Sequence, residues 1–331
     1  MAVVRRWVVP TTKTRLRLDR FLALELPGHS RSQIQAWIRS GDVLLNGSRT
    51  KTGQLLRGGD EIAACEPSSV PDLPQPEPIP LRVIYEDDDL AVIDKPAGLV
   101  CHAGAGRRSG TLVNAILHRW GQVKAGDPMR PGIVHRLDKQ TSGVMVIARS
   151  EPAIRSLGRQ FKDREIRKEY LALVYGKVAS AGGTIDAPLG RDPVDRKKIS
   201  VRARKRRVAV TRYRLVESLG ACSLLSVHPE TGRTHQIRVH LASLGHPVVG
   251  DPVYGGGRSF PKELQPLVSG LGRFFLHAHR LEFRHPRTDE ALEFSTPLPA
   301  ELAQFLNEMR SYRDRCSATP ARMRQKDEGR R

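Results

Sequence analysis

The segment Gly132-Ile133-Val134-His135-Arg136-Leu137-Asp138-Lys139-Gln140-Thr141-Ser142-Gly143 stands directly before an apolar run, residues 144–148, and indicates where a core strand begins. The run has the length and composition of a strand buried on both faces. Asp138 lies between two cations, Arg136 and Lys139, which favour the ionised form of its carboxylate. The segment therefore predicts a buried strand with an anionic side chain at its entrance. Such a group suits a nucleophile or an electrostatic partner, and not a general acid.

Further strand-like runs occupy residues 90–93, 170–174 and 224–227. Helical patterns are mixed with these runs and do not alternate strictly with them. This order favours an α+β domain with a mixed, largely antiparallel sheet over a doubly wound one.

A smaller α-helical and β unit is predicted at the N-terminus. Apolar residues at helical spacing predict a first helix around residues 18–26 and a second after a cap at Ser30, and Asn46-Gly47 predicts a tight hairpin turn. Six prolines in residues 67–80 are typical of an extended linker. We therefore divide the chain into a small domain (1–66), a linker (67–80), a large domain (81–312) and a basic flexible tail (313–331).

The composition points to a nucleic-acid partner. The formal net charge is +20, and Lys and Arg bind phosphates by displacing condensed counterions. An aromatic content of 5% disfavours single-strand binding by rows of stacked bases. No membrane-length apolar run and no signal-like N-terminus are seen, so we expect a cytoplasmic protein.

The motifs offer no metal or cofactor site. The four cysteines form no CxxC pair, and the histidines have no metal-ligand spacing. The glycine-rich stretches match neither a P-loop nor a dinucleotide fingerprint. We expect neither a metal nor a cofactor.

Two further residues are candidates to act with Asp138. Thr234 is expected to cap a helix whose buried face carries Ile237, Leu241 and Leu244, and Arg238 lies beside that face. Arg238 would pair with Asp138 or, alternatively, with a surface carboxylate. Tyr170 is either a core residue or a phenol that could move a proton.

A basic segment at residues 196–207 holds eight Lys and Arg and no acid. It begins with Arg196, Lys197 and Lys198. A mobile loop that grips phosphate is one interpretation, and a merely solvated loop is the other.

These motifs resemble two known families. Residues 1–66 resemble the S4 RNA-binding domain, through Arg17-Leu18-Asp19-Arg20, Ser30-Arg31-Ser32-Gln33-Ile34 and Gly41-Asp42-Val43-Leu44-Leu45-Asn46-Gly47. Most of the chain, in order, resembles the large ribosomal-RNA branch of the RluA-type pseudouridine synthases. The matching segments include Val92-Ile93-Asp94-Lys95-Pro96, residues 132–143, Lys168-Glu169-Tyr170, residues 230–240 and Gly245-His246-Pro247 to Tyr254-Gly255. Cys101 is a departure that affects no catalytic position.

The resemblance implies isomerisation of uridine to pseudouridine in RNA, without a cofactor. Asp138 would be the essential carboxylate, Arg238 would orient it, Tyr170 would contact the base, and Arg136 would replace the extruded uridine. The expected RNA-contacting residues of the small domain and the basic segment are Arg20, Arg31, Lys51, Arg196, Lys197 and Lys198.

The expected partner is 23S ribosomal RNA or a large-subunit assembly intermediate, bound by a monomer. Three alternatives remain open: a non-catalytic RNA-binding or ribosome-assembly factor, an N-glycosylase that releases uracil, and the same isomerisation on transfer RNA or another RNA.

Overall fold

The computed structural model describes residues 3–29, 31–66, 73–102, 109–121, 123, 126–195, 198–258 and 260–318. It divides the chain into two compact units, which separate between Leu73 and Pro74. Ser30, Arg196, Lys197, the linker residues 67–72 and the tail residues 319–331 lie outside the described residues, so the expectations placed on them stay predictions.

The N-terminal unit packs two helices against a small antiparallel sheet. The helices are α1 (Leu18–Glu25) and α2 (Arg31–Ser40), and the sheet has the order β1-β4-β2-β3, with β1 (Val3–Val8), β2 (Val43–Leu45), β3 (Ser48–Arg49) and β4 (Glu61–Glu66). Asn46 and Gly47 adopt φ angles of 50° and 75° between β2 and β3, as a type I′ hairpin turn requires. The predicted helices and hairpin are present, whereas β1 was not predicted.

Asp19 ties the two helices of this unit together. Its side chain is fully buried and accepts hydrogen bonds from Arg17 Nε at 3.0 Å, Arg31 Nη2 at 2.9 Å and Gln35 Nε2 at 2.5 Å. Burial alone would raise the pKa of Asp19, but the bonds from Arg17, Gln35 and Arg31 lower it to about 2. Arg31, a predicted RNA contact, is thus also a structural partner of Asp19.

The C-terminal unit is built on a nine-stranded sheet. Its order is β5-β6-β7-β14-β8-β13-β12-β9, and β15 pairs with β14. The strands are β5 (Arg82–Glu86), β6 (Leu90–Lys95), β7 (Ser142–Ala148), β8 (Arg167–Tyr175), β9 (Gly182–Asp186), β12 (Val210–Ser218), β13 (Cys222–Pro229), β14 (Leu276–Arg284) and β15 (Ala291–Ser295), with β10 (Gly190–Arg191) and β11 (Ile199–Ser200) as a separate pair. The helices are α3 (Leu112–Trp120), α4 (Glu151–Asp163), α5 (Gln236–Ser243), α6 (Gln265–Gly270) and α7 (Ala300–Ala318).

Among the described strands, only β7 and β14 pair in parallel. The predicted α+β class with a mixed, largely antiparallel sheet is therefore confirmed. At the parallel junction the backbone of β14 passes so close to Gly143 that a Cβ atom there would lie 2.1 Å from the carbonyl oxygen of Ala278. Gly143 also has a φ of +118°, so glycine is required at the start of β7, just after the Asp138 loop.

Three local expectations were wrong. Helix α5 begins at Gln236 after His235, which has a φ of 55°, so Thr234 is not its N-cap. Leu244 is exposed, although Ile237 and Leu241 are buried as predicted. The tail predicted from residue 313 begins inside α7, where Arg313 Nη1 donates to Glu217 Oε1 at 2.8 Å.

The basic segment also differs from a simple mobile loop. Ile199 and Ser200 form β11 and pair with β10, and Arg207 bridges to Leu189 in an antiparallel contact. Residues of the described part of the segment are therefore held by backbone pairing with β10 and Leu189.

Substituting Asp19→Asn should destabilise the N-terminal unit by about 1–3 kcal/mol, because the charged hydrogen bonds from two arginines are lost. Hydrogen exchange of the α1 and α2 amides in the full chain measures this loss.

The folded-state pKa of Asp19 is depressed, so its stabilisation is present above the unfolded pKa of Asp, near pH 3.9, and is lost as pH falls toward about 2. The control is Asp289→Asn, at an exposed turn residue of the other unit. Equal hydrogen-exchange protection of the α1 and α2 amides in the Asp19→Asn and Asp289→Asn variants would contradict the structural role of Asp19.

Candidate active site

A cavity of about 440 Å³ opens beside the loop that precedes β7. Its walls come from this loop, from β8 and from the N-terminal end of α5, and they include Asp138, Tyr170, Arg238 and Arg136. The structure thus brings together the three candidate catalytic residues and one predicted RNA contact. The sheet makes this possible because β8 lies next to β14, which in turn lies next to β7.

A buried lysine, Lys95, contacts the loop that carries Asp138. Lys95 Nζ, at the end of β6, donates to the carbonyl oxygens of Pro96 and Leu99 at 2.8 and 2.9 Å and contacts that of Lys139 at 3.5 Å. Burial lowers the pKa of Lys95 to about 8. One buried side chain therefore links the backbone that follows β6 to the backbone of the Asp138 loop.

Asp138 is held at its carboxylate by Arg238. Arg238 Nη1 donates to Asp138 Oδ2 at 3.1 Å, and the Asp138 side chain remains 18% exposed toward the cavity. One carboxylate oxygen is thereby fixed by a cation, while the group stays accessible to a substrate.

The Arg238 guanidinium is buried and doubly paired. Its Nε and Nη2 atoms donate to the two carboxylate oxygens of Asp251 at 2.7 and 2.9 Å, and its face lies over the ring of Phe274 at 4.3 Å. Burial opposes the charge, but Asp251 and Asp138 outweigh this effect and raise the pKa of Arg238. The bidentate pair fixes the plane of the guanidinium, and Nη1 is left to bind Asp138.

Asp251 was missed in the sequence analysis. Its side chain is fully buried, and its Oδ1 atom also accepts hydrogen bonds from the backbone N–H groups of Val253 and Tyr254 at 2.9 and 3.1 Å. Burial disfavours the carboxylate, but the contacts with Arg238 and these N–H groups lower the pKa of Asp251. The available signal was a lone acid in an uncharged stretch, residues 245–257, within the segments that carry the family resemblance.

His235 and Tyr254 form a second pair at the cavity wall. Ile199 N donates to Tyr254 Oη at 3.0 Å, and Tyr254 Oη lies 2.9 Å from His235 Nδ1, within hydrogen-bond distance. His235 Nε2 lies 3.9 Å from Asp138 Oδ2. Burial, partly offset by Asp138, lowers the pKa of His235, so the ring is neutral at pH 7.

Tyr170 and Arg136 both line the cavity. Neither side chain hydrogen-bonds to any residue that the structure describes. Burial, together with the charge of Asp138, raises the pKa of Tyr170, so its hydroxyl is protonated. Arg136 is exposed at the cavity edge. Both groups are available to a substrate.

Three of the remaining predicted RNA contacts are among the described residues. Arg20 and Lys51 are exposed on the N-terminal unit, and Lys198 lies 3.9 Å from Asp195. Lys198 does not line the cavity. Their role in RNA binding stays a prediction.

Two further polar side chains, His135 and Ser142, have structural contacts. His135 Nε2 accepts from Val146 N at 3.1 Å, and burial lowers the pKa of His135 to about 3. Ser142 is buried and lies 2.9 Å from His277, not beside His235. Across the described ranges, no three His, Cys, Asp or Glu side chains cluster as a metal site would require, and no helix there is long and apolar enough to span a membrane.

Comparison with known proteins identifies both units. Residues 89–243 match the family model for RNA pseudouridylate synthase, and residues 16–62 match the S4 domain. The chain is 46% identical to the ribosomal large subunit pseudouridine synthase D of Xanthomonas campestris, over 93% of each protein. It is 50% identical to an uncharacterized RNA pseudouridine synthase of Chloroflexus aurantiacus, over 94% of each.

A solved structure supports the same relationship. Human RNA pseudouridylate synthase domain containing 4 superposes with a TM-score of 0.54 at 28% identity, over 69% of this chain and 93% of that one. The sequence similarity covers 93% of the chain, and the structural superposition covers 69% of it. The chain therefore belongs to the RNA pseudouridine synthases and carries an S4 domain at its N-terminal end.

Proposed function

We propose that this enzyme converts specific uridines of large-subunit ribosomal RNA to pseudouridine, with Asp138 as the catalytic carboxylate. The observation that carries the proposal is the chain of contacts from Asp251 through Arg238 to Asp138 at the cavity wall. The ribosomal substrate is taken from the name of the Xanthomonas campestris relative.

The reaction only rearranges bonds. The N1–C1′ bond of uridine breaks, the uracil turns, and a C5–C1′ bond forms, while the proton on C5 is lost and N1 gains one. In one route the Asp138 carboxylate attacks C1′; in the other it assists formation of a glycal. Both routes need an oriented carboxylate, and the bond from Arg238 Nη1 to Asp138 Oδ2 provides that orientation.

The target base has to leave its stack to reach Asp138. Extruding a base costs a few kcal/mol, which contacts in the pocket must offset. The cavity volume of about 440 Å³ is within the range of small-molecule sites. The exposed guanidinium of Arg136 would replace the lost stacking in the RNA, and the Tyr170 hydroxyl would contact the uracil and assist removal of its C5 proton.

The basic surfaces would hold the surrounding RNA. In the S4 domain the candidates are Arg20, Arg31 and Lys51, and in the basic segment they are Arg196, Lys197 and Lys198. Lys and Arg at such positions add affinity that falls steeply with salt.

We also propose that the enzyme acts as a monomer in the cytoplasm. One chain supplies Asp138, Arg238 and Tyr170 to the cavity and Asp251 to hold Arg238, which supports catalysis by a single chain. A ribosomal RNA substrate supports a cytoplasmic site of action.

The substitution Asp138→Asn should lower the rate of pseudouridine formation by roughly 10⁴-fold or more, because an amide is not a nucleophile. RNA affinity should change little. Mapping pseudouridine in large-subunit RNA incubated with each protein measures the effect, and Asp289→Asn is the control.

The products separate the alternatives. Undiminished pseudouridine with Asp138→Asn would reject the assigned carboxylate, and free uracil from the wild-type protein would indicate an N-glycosylase. RNA binding without any modified base would indicate an assembly factor, and modification of transfer RNA alone would overturn the ribosomal assignment.

Asp251→Asn should lower kcat by roughly 10–100-fold with little change in RNA affinity, because Arg238 loses the carboxylate that orients it. If Arg238 keeps its hydrogen bond to Asp138 in this variant, a residual rate remains. Single-turnover kinetics on ribosomal RNA measure the effect. A rise in KM at unchanged kcat would contradict a positioning role for Asp251.

A further inference from the structure

A second cavity meets the catalytic cavity at the end of the sheet. It has a volume of about 520 Å³ and shares two wall residues, Lys168 and Pro229, with the catalytic cavity. Successive residues of β8 project to opposite faces of the sheet, and Tyr170 lines the catalytic cavity while Arg167 and Glu169 line the second one. The two cavities meet at Lys168 and Pro229, which line both, and these residues are where a polymer would pass from one cavity to the other.

The ridge between the two cavities is the turn from α4 to β8, and it carries four cations. We call Lys162, Arg164, Arg167 and Lys168 the basic ridge. Lys162 lines the catalytic cavity, Arg164 and Arg167 line the second cavity, and Lys168 lines both. The sequence analysis did not single out this cluster.

The basic ridge is poorly neutralised by the protein. Lys162, Arg164 and Lys168 make no ion pair or side-chain hydrogen bond with any described residue, and Arg167 is 83% exposed and lies 3.7 Å from Glu282. Burial lowers the pKa of Lys168 to about 8. Lys168 is half-buried, its Nζ lies 5.9 Å from the centre of the Phe161 ring, and a bound anion would stabilise its charge further.

The acids of the second cavity already have partners. Arg212 Nε donates to Glu230 Oε1 at 2.5 Å, and Arg280 Nη2 forms an ion pair with Glu282 Oε1 at 2.8 Å. Glu169 Oε1 accepts a bond from Ser226 Oγ at 2.6 Å. The walls of the second cavity hold five Lys and Arg side chains and three acids, and this excess of positive charge favours an anionic occupant.

We propose that the basic ridge and the second cavity bind the RNA strand that continues from the flipped uridine, with the ridge cations on its phosphates. This inference rests on the proposed function. A strand whose nucleotide is held in the catalytic cavity must carry its next phosphates past the cavity mouth, where the ridge lies. The occupant is thus single-stranded RNA backbone adjacent to the target.

The test compares two single-charge removals near one helix in the full-length enzyme. Arg164 has a φ of 64°, a conformation that Asn tolerates, so Arg164→Asn removes the charge without added backbone strain. Arg155→Gln is the matched control, because Arg155 is 71% exposed on α4 and lines neither cavity. The substrate is a large-subunit RNA transcript that the wild-type enzyme modifies.

Arg164→Asn should raise KM several-fold with a much smaller effect on kcat, whereas Arg155→Gln should match the wild type. The double variant Arg164→Asn/Arg167→Gln should also reduce the slope of log Kd against log salt by about 0.7 for each lost contact to a single strand. A shortened RNA that ends at the target uridine lacks the strand that would occupy the second cavity. With this RNA, Arg164→Asn should no longer raise KM. Transcripts shortened on either side of the uridine identify the side that occupies the second cavity.

Two outcomes would overturn the inference. Equal KM values and salt slopes for the ridge variants and the Arg155→Gln control would exclude phosphate contacts at the ridge. A fall in kcat at an unchanged salt slope would assign the ridge a structural role instead. Absence of pseudouridine with the wild-type enzyme is a different result, because it rejects the proposed function itself.

Discussion

The site depends on one buried guanidinium that is shared by two carboxylates. Arg238 is almost fully buried, so its charge would be very unfavourable without the bidentate bond to Asp251. That bond fixes the guanidinium plane and directs Nη1 to Asp138 Oδ2. The cavity thus contains a carboxylate that is oriented before any substrate binds, which is the condition for low reorganisation during catalysis.

The fold brings these groups together from distant parts of the chain. Asp138 precedes the central strand β7, and Arg238 and Asp251 come from α5 and the segment that follows it. Gly143 allows β14 to approach β7 closely, and Lys95 fixes the carbonyl groups around the Asp138 loop. The parallel pair of β7 and β14, the only one among the described strands, begins at Ser142, directly after the loop that carries Asp138.

Periodicity and turn chemistry predicted much of the architecture, because buried strands and the Asn46-Gly47 turn have strong local signals. Asp251 could not be predicted this way, since its role arises from a contact with Arg238 that no local pattern encodes. Strand β1 was missed because its pairing with β4 joins distant segments. Helix α5 begins later than predicted because His235 adopts the αL conformation. The basic ridge was not predicted because it forms where the end of α4 lies between two cavities in space.

A double-mutant cycle between Arg238 and Asp251 tests the shared-guanidinium arrangement most directly. Asp251→Asn is introduced into the wild type and into Arg238→Met, and kcat/KM for pseudouridine formation and Tm are measured for all four proteins. The arrangement predicts that Asp251→Asn adds no further loss of kcat/KM to Arg238→Met and recovers part of its Tm, because a buried unpaired carboxylate is removed. Equal effects of Asp251→Asn in both backgrounds would contradict it.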